Sequence, residues 1–133
     1  MTQRWTNQSP TRGARYDPFE HAAELGISVI FRPIRTANEL WLPEHDTIVI
    51  KSGMRAVHDR AACAHGLGHA VLGHTDDRPK HEVMADRWAC RLLVDHDELT
   101  RLLRWADLPT IGQELGVTQR LLRVYLNISG LAS

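Results

Sequence analysis

The apolar residues of this chain change their period near Arg55. Before it, short β-branched and aromatic runs stand between turn residues. After it, apolar positions recur every three to four residues. Period two belongs to strands and period 3.6 to helices, so the chain is read as α+β, a small sheet followed by a mainly helical body. Residues 27–31 (ISVIF) form the first strand. Residues 40–42 and 47–50 form two more, joined across Pro43-Glu44-His45-Asp46, which has the composition of a hairpin connection. The sheet is therefore expected to be antiparallel. Asp17 ahead of Pro18 reads as the cap and first residue of a short helix that Gly26 closes.

Beyond Arg55, Cys63, Leu67, Ala70 and Val71 share one stripe of a helix that Gly73 ends. A polar connection over residues 75–80 leads to a second helix, residues 81–94, with Ala85, Trp88, Ala89 and Leu92 facing inward. Asp95 or Asp97 caps a third helix through Leu99, Leu102 and Leu103, and Leu108-Pro109 breaks it. Two short helices follow, at 111–115 and 118–127, with Gly116 at the corner. Residues 1–16 are polar, hold Pro10 and Gly13, and read as a flexible tail. Residues 17–133 are then one domain, a length sufficient for a single core.

The first helix of that body carries the chemistry. His65 and His69 lie four residues apart, so their imidazoles fall on one face, one turn apart. Two imidazoles so placed can share a tetrahedral cation, the basis of H-E-x-x-H zinc sites. Glu82 is the expected third ligand. It heads the inward stripe of the next helix, where a carboxylate would be buried and in need of a partner. Zn2+ suits two histidines and a carboxylate, and Mn2+ is acceptable to the same set. Asp86, one turn after Glu82, is placed to hydrogen-bond a ligand histidine or to make a helix salt bridge. His74, past Gly73, stands behind the ligands or faces a substrate. His81 points about 100° away from Glu82. His58 and Arg60 read as solvated or capping residues.

In H-E-x-x-H peptidases the glutamate moves the proton between water and leaving amine. Here that position is Gly66, which can do neither. General acid–base terms are worth roughly 10²–10⁴-fold, so a chain lacking that group is expected to be severely impaired or inactive. Mid-helix glycine also costs about 1 kcal/mol against alanine, and Gly68 follows two residues on. Gly68 has a packing reason, close approach of a neighbouring element. Gly66 has none in the sequence, and is read as a loss of function. His74, Arg87 and Tyr125 are each chemically able to stabilise an oxyanion, with nothing to choose between them.

The stretch RAACAHGLGHAVLGH, followed by HEVMADRWACRLLVD, resembles the ImmA/IrrE-type metallopeptidases. Their pattern is an H-E-x-G-H-x-x-L-G-H helix, then E-x-x-A-[ND] on the next, and the preceding strands are similar to the family's small sheet. The resemblance covers about residues 17–95. It implies a zincin-like domain, zinc on His65, His69 and Glu82, and the base at position 66. It also implies a helix-turn-helix repressor as substrate, in stress response or mobile-element regulation.

Two other readings stand beside it. Residues 110–127 have the form of a helix-turn-helix with Arg120 and Arg123 on its second helix, which would make a DNA-binding protein. Net charge zero and so few arginines favour an αα-corner packed on the core instead, against direct nucleic-acid binding. Gly66 equally supports a pseudo-peptidase that binds a repressor without cutting it. Cys63 and Cys90 form no C-x-x-C motif and read as reduced core residues, which, with no signal peptide, places the protein in the cytoplasm. No apolar run reaches the roughly 20 residues of a membrane span.

Overall fold

Asp17 accepts hydrogen bonds from the N–H groups of Phe19 and Glu20, and so starts helix α1, Pro18–Glu24, with the proline in its first turn. The computed structural model that follows from this point describes residues 16–131. The expected tail thus lies outside the described residues except for Tyr16. That residue is buried, its hydroxyl 2.7 Å from Nδ1 of His21, so it belongs to the packed domain rather than to a tail.

Strands β1 (Ser28–Arg32), β2 (Glu39–Leu42) and β3 (Thr47–Lys51) make a sheet of order β1-β3-β2. The β2–β3 hairpin is antiparallel, with Trp41 opposite Ile48, and turns through a 3-10 segment, Pro43–His45. β1 instead pairs parallel to β3, Val29 beside Ile48, so the sheet is mixed rather than purely antiparallel. The chain leaves β1, passes over one strand position to lay down β2, and returns β3 between the two. The local pattern of ISVIF is the same for either direction, so only tertiary packing decides it.

Five more helices complete the described chain: α2 (Ala56–Val71), α3 (Pro79–Leu93), α4 (His96–Leu102), α5 (Leu108–Leu115) and α6 (Gln119–Ser129). α3 begins two residues earlier than the polar composition of 75–80 implied, because Pro79 enters its first turn, where a missing N–H costs nothing. For the same reason Leu108-Pro109 opens α5 rather than only ending its predecessor, with Asp107 accepting from the N–H of Thr110 at 3.0 Å. Asp95, not Asp97, caps α4.

α2 runs through the middle of the molecule and is buried on every side from Ala62 to His69. Its small residues let neighbours close in on two sides. One cluster joins Cys63 and Leu67 to Ile48 and Ile50 of the sheet and to Ala22 and Leu25. The other joins Ala64 to Ala89 and Leu93 of α3, Leu99 of α4, and Leu121 and Leu122 of α6. Arg60, at the head of α2, donates to the carbonyls of Gly116 (2.6 Å) and Tyr16 (3.2 Å). It therefore caps the end of α5, where Gly116 adopts a left-handed φ of 69°. The layers are those of a zincin-like α+β fold, small sheet against helices, with the paired histidines on the central helix. Among the described residues no helix is long and apolar enough to cross a membrane.

Candidate metal centre

α2 carries His65 and His69 side by side, their Nε2 atoms 3.1 Å apart. Glu82, in the first turn of α3, closes the triangle. Its Oε1 is 3.1 Å from Nε2 of His65 and its Oε2 is 2.7 Å from Nε2 of His69. A tetrahedral ion with bonds near 2.0–2.1 Å holds its ligand atoms about 3.3 Å apart, close to each of these edges. The side chain of Glu82 is 41% exposed, so it is not the buried carboxylate expected from the helix stripe. It stands at the edge of a cleft and completes the triangle from the solvent side.

Both histidines of the triangle have a support. Asp86 sits 2.8 Å from Nδ1 of His65, which leaves Nε2 as the lone-pair nitrogen facing Glu82. Arg120 of α6 pairs with the other oxygen of Asp86. Burial works against ionisation of Asp86, but the hydrogen bonds from His65 and Arg120 more than offset it and hold its pKa below the usual carboxylate range. Burial likewise opposes a charge on His65, yet the Asp86 hydrogen bond and the carboxylates of Glu39, Asp86 and Glu82 keep its pKa above the ordinary value. His69 goes the other way, lowered by burial and by the neighbouring His65. His74 lies with Nδ1 2.9 Å from Nδ1 of His69, and its ring stacks on His81 at 4.0 Å. His81 turns from Glu82 to meet Asp76 at 2.6 Å.

A second carboxylate reaches the histidines from the sheet. Glu39, the first residue of β2, brings Oε1 to 3.9 Å from Nε2 of His65, with its side chain only 11% exposed. Glu39, His65 and His69 together place one ligand atom each within 4.8 Å of one another, a set able to hold a metal ion. Glu82 makes the tighter set: 3.9 Å exceeds a tetrahedral edge, whereas both Glu82 oxygens lie inside it. Burial pushes the Glu39 carboxyl up to about 7, opposed by His65 and reinforced by Glu82 and Asp86.

Gly66 faces the sheet rather than the triangle. A Cβ on it would stand 2.9 Å from Cγ2 of Ile48 and 3.0 Å from Oε2 of Glu39. The glycine therefore has the packing role that its sequence context did not reveal. Gly68 has the expected one, on the opposite side, where a Cβ would meet the backbone of Ala85 at 3.0 and 3.1 Å.

The histidines open into a cleft of about 1120 Å³ between β2, with Glu39 and Trp41, and the α5–α6 corner, with Gln113 and Arg120. The family description IrrE N-terminal-like domain matches residues 22–126, from within α1 almost to the end of α6. The chain belongs to this family. As an IrrE-like domain it is a metallopeptidase-like protein, which implies a protein substrate, and its His/Glu group is consistent with metal binding. A comparison with curated proteins gives no match.

In this IrrE-like domain His65, His69, Glu82, Asp86 and His74 come together in space, with Glu82 more exposed than its helix stripe implied. Of the three oxyanion candidates, none lines the cleft, and Tyr125 is engaged with His96 at 2.8 Å. Arg120, a DNA contact only in the disfavoured helix-turn-helix reading, lines it. Its helix buries Leu121, Leu122 and Leu126 in the core, so residues 110–127 form a packed corner. The residue the sequence reading missed is Glu39. Its signal was the alternation E-L-W-L, which puts Glu39 on the same strand face as Trp41, the face turned to the core.

Proposed function

We propose that this IrrE-like domain is a zinc-dependent endopeptidase-type protein acting on a helix-turn-helix repressor, with His65, His69 and Glu82 as the metal ligands. The observation that carries it is the convergence of four donor atoms: the Nε2 atoms of His65 and His69 lie 3.1 Å apart, with Oε1 and Oε2 of Glu82 3.1 and 2.7 Å from them in turn. Zinc held there would supply a Lewis acid that polarises the carbonyl under attack, and manganese would be accepted by the same donors. The chain's own contribution is orientation. Asp86 fixes the tautomer of His65, Arg120 fixes Asp86, and His74 backs His69. β2 is an edge strand of the sheet and lines the cleft, so its unpaired backbone groups suit an extended peptide laid alongside. The repressor is supported by family membership, and a cytoplasmic setting goes with it.

The test is zinc stoichiometry by competition with a chromophoric chelator, followed by incubation with a purified helix-turn-helix repressor and mass analysis of fragments. One zinc per chain, lost in His65→Ala and His69→Ala, is expected. A folded chain that takes up no zinc would overturn the reading. Gly66 favours a second version, in which the repressor is bound but not cut. A stable complex without fragments would establish it.

A further inference from the structure

We propose that Glu39 supplies, from strand β2, the proton-transferring carboxylate that position 66 lacks. This deepens the peptidase reading and rests on it. The first observation is positional: Oε2 of Glu39 lies 3.0 Å from where a Cβ on residue 66 would begin. The carboxylate from the strand thus occupies the space into which a side chain on the helix would grow. Glycine at 66 and glutamate at 39 are two halves of one arrangement, since any larger residue at 66 must displace Glu39 or Ile48.

The second observation separates this role from that of a ligand. Oε1 is 3.9 Å from Nε2 of His65, adjacent to the triangle and outside its edges. The third is that Oε2 is buried without a hydrogen-bond partner among the described residues, although it belongs to a residue lining the cleft. Buried polar atoms are nearly always paired, and an orphan on a residue that lines a cleft is explained by a partner that arrives with water or substrate.

In that role Glu39 takes a proton from a water molecule as the water oxygen forms its bond to the scissile carbonyl carbon. The C–N bond then breaks with its electron pair on nitrogen, and Glu39 returns the proton to that nitrogen. One water is consumed, one acid and one amine are formed, and Glu39 ends unchanged. The loss of function expected at Gly66 considered that position alone; a carboxylate delivered from the facing strand removes the need for one on the helix.

The experiment uses the full chain loaded with zinc and compares it with Glu39→Gln, which keeps the side chain's shape. Zinc affinity, by chelator competition, is expected to change less than threefold. A fall of tenfold or more would make Glu39 a metal ligand and overturn the proposal. Affinity for acetohydroxamate, a probe that passes a proton to the base beside the metal, is expected to fall at least tenfold. Unchanged affinity also overturns it. On the repressor, cutting by Glu39→Gln is expected to fall by roughly 10²–10⁴-fold. Equal cutting by both chains sinks the role of Glu39 and leaves the peptidase reading standing. Failure of both chains to bind zinc sinks both.

Discussion

Replacing Gly66 by alanine sets two physical terms of opposite sign against each other. Within α2, alanine is favoured over glycine by about 1 kcal/mol. Against that stands the new methyl, 2.9 and 3.1 Å from Cγ2 and Cδ1 of Ile48 and 3.0 Å from Oε2 of Glu39. Ile48 is fully buried in the middle strand of the sheet and has no room to retreat. Overpacking of this kind costs about 1–3 kcal/mol, so Gly66→Ala is expected to be neutral to roughly 2 kcal/mol less stable. For a domain of this size that is a fall in melting temperature of up to about 8 °C. The measurement is urea unfolding of the metal-free chain beside the same change in an Ile48→Ala background. Removing both methyl contacts should make the alanine helpful, with a coupling of about 1–3 kcal/mol. A Gly66→Ala chain that is about 1 kcal/mol more stable than its parent would refute the tight sheet–helix contact, and with it the pairing of Gly66 with Glu39.

Three other outcomes follow from the same geometry. Asp86→Asn, which keeps the shape but weakens the hold on Nδ1 of His65, should lower zinc affinity roughly 10–100-fold in a chelator competition; unchanged affinity would remove Asp86 from the site. Gly68→Ala should push α3 from α2 through the Ala85 backbone, lowering both melting temperature and zinc affinity because Glu82 moves with α3. A loss of stability without loss of metal would show the triangle to be independent of that contact. In the metal-free chain burial makes Glu39 bind its proton more tightly when folded than unfolded, with Glu82 and Asp86 adding to the effect and His65 opposing it, so its pKa is raised to about 7. Its contribution to stability is therefore complete below the ordinary carboxylate range and is lost as pH rises through 7. Between pH 5 and 8 the parent should lose up to roughly 3 kcal/mol more than Glu39→Gln, read from denaturant titrations at each pH. Parallel pH profiles would rule the effect out.

What the sequence disclosed was what lies within one element or between adjacent ones. The four-residue spacing of His65 and His69 needs only helical geometry, and the cap at Asp17 needs only its own first turn. Glu82 was reachable because it heads the stripe of the very next helix. β1 was not placed correctly, since the direction of a strand depends on what it packs beside, and ISVIF carries the same pattern both ways. The purpose of Gly66 was hidden for a related reason. Its neighbours, Ile48 and Glu39, belong to strands 18 and 27 residues earlier, and nothing in the run around His65 points to them. Glu82 shows the converse limit: its helical phase was right, but whether that face is covered depends on the cleft beyond it.

The carboxylate of Asp86 is shared between His65 of the central helix and Arg120 near the start of the last one. The donor cluster spanning residues 65–86 is thus not a portable cassette. Grafted onto another scaffold, or left in a chain cut short before residue 119, it would keep every proposed ligand and lose the grip that aims one of them. If His65, His69 and Glu82 hold the metal as proposed, the C-terminal helix is a working part of the centre without supplying one of those ligands, and a minimal version of this protein cannot be made by trimming toward the motif.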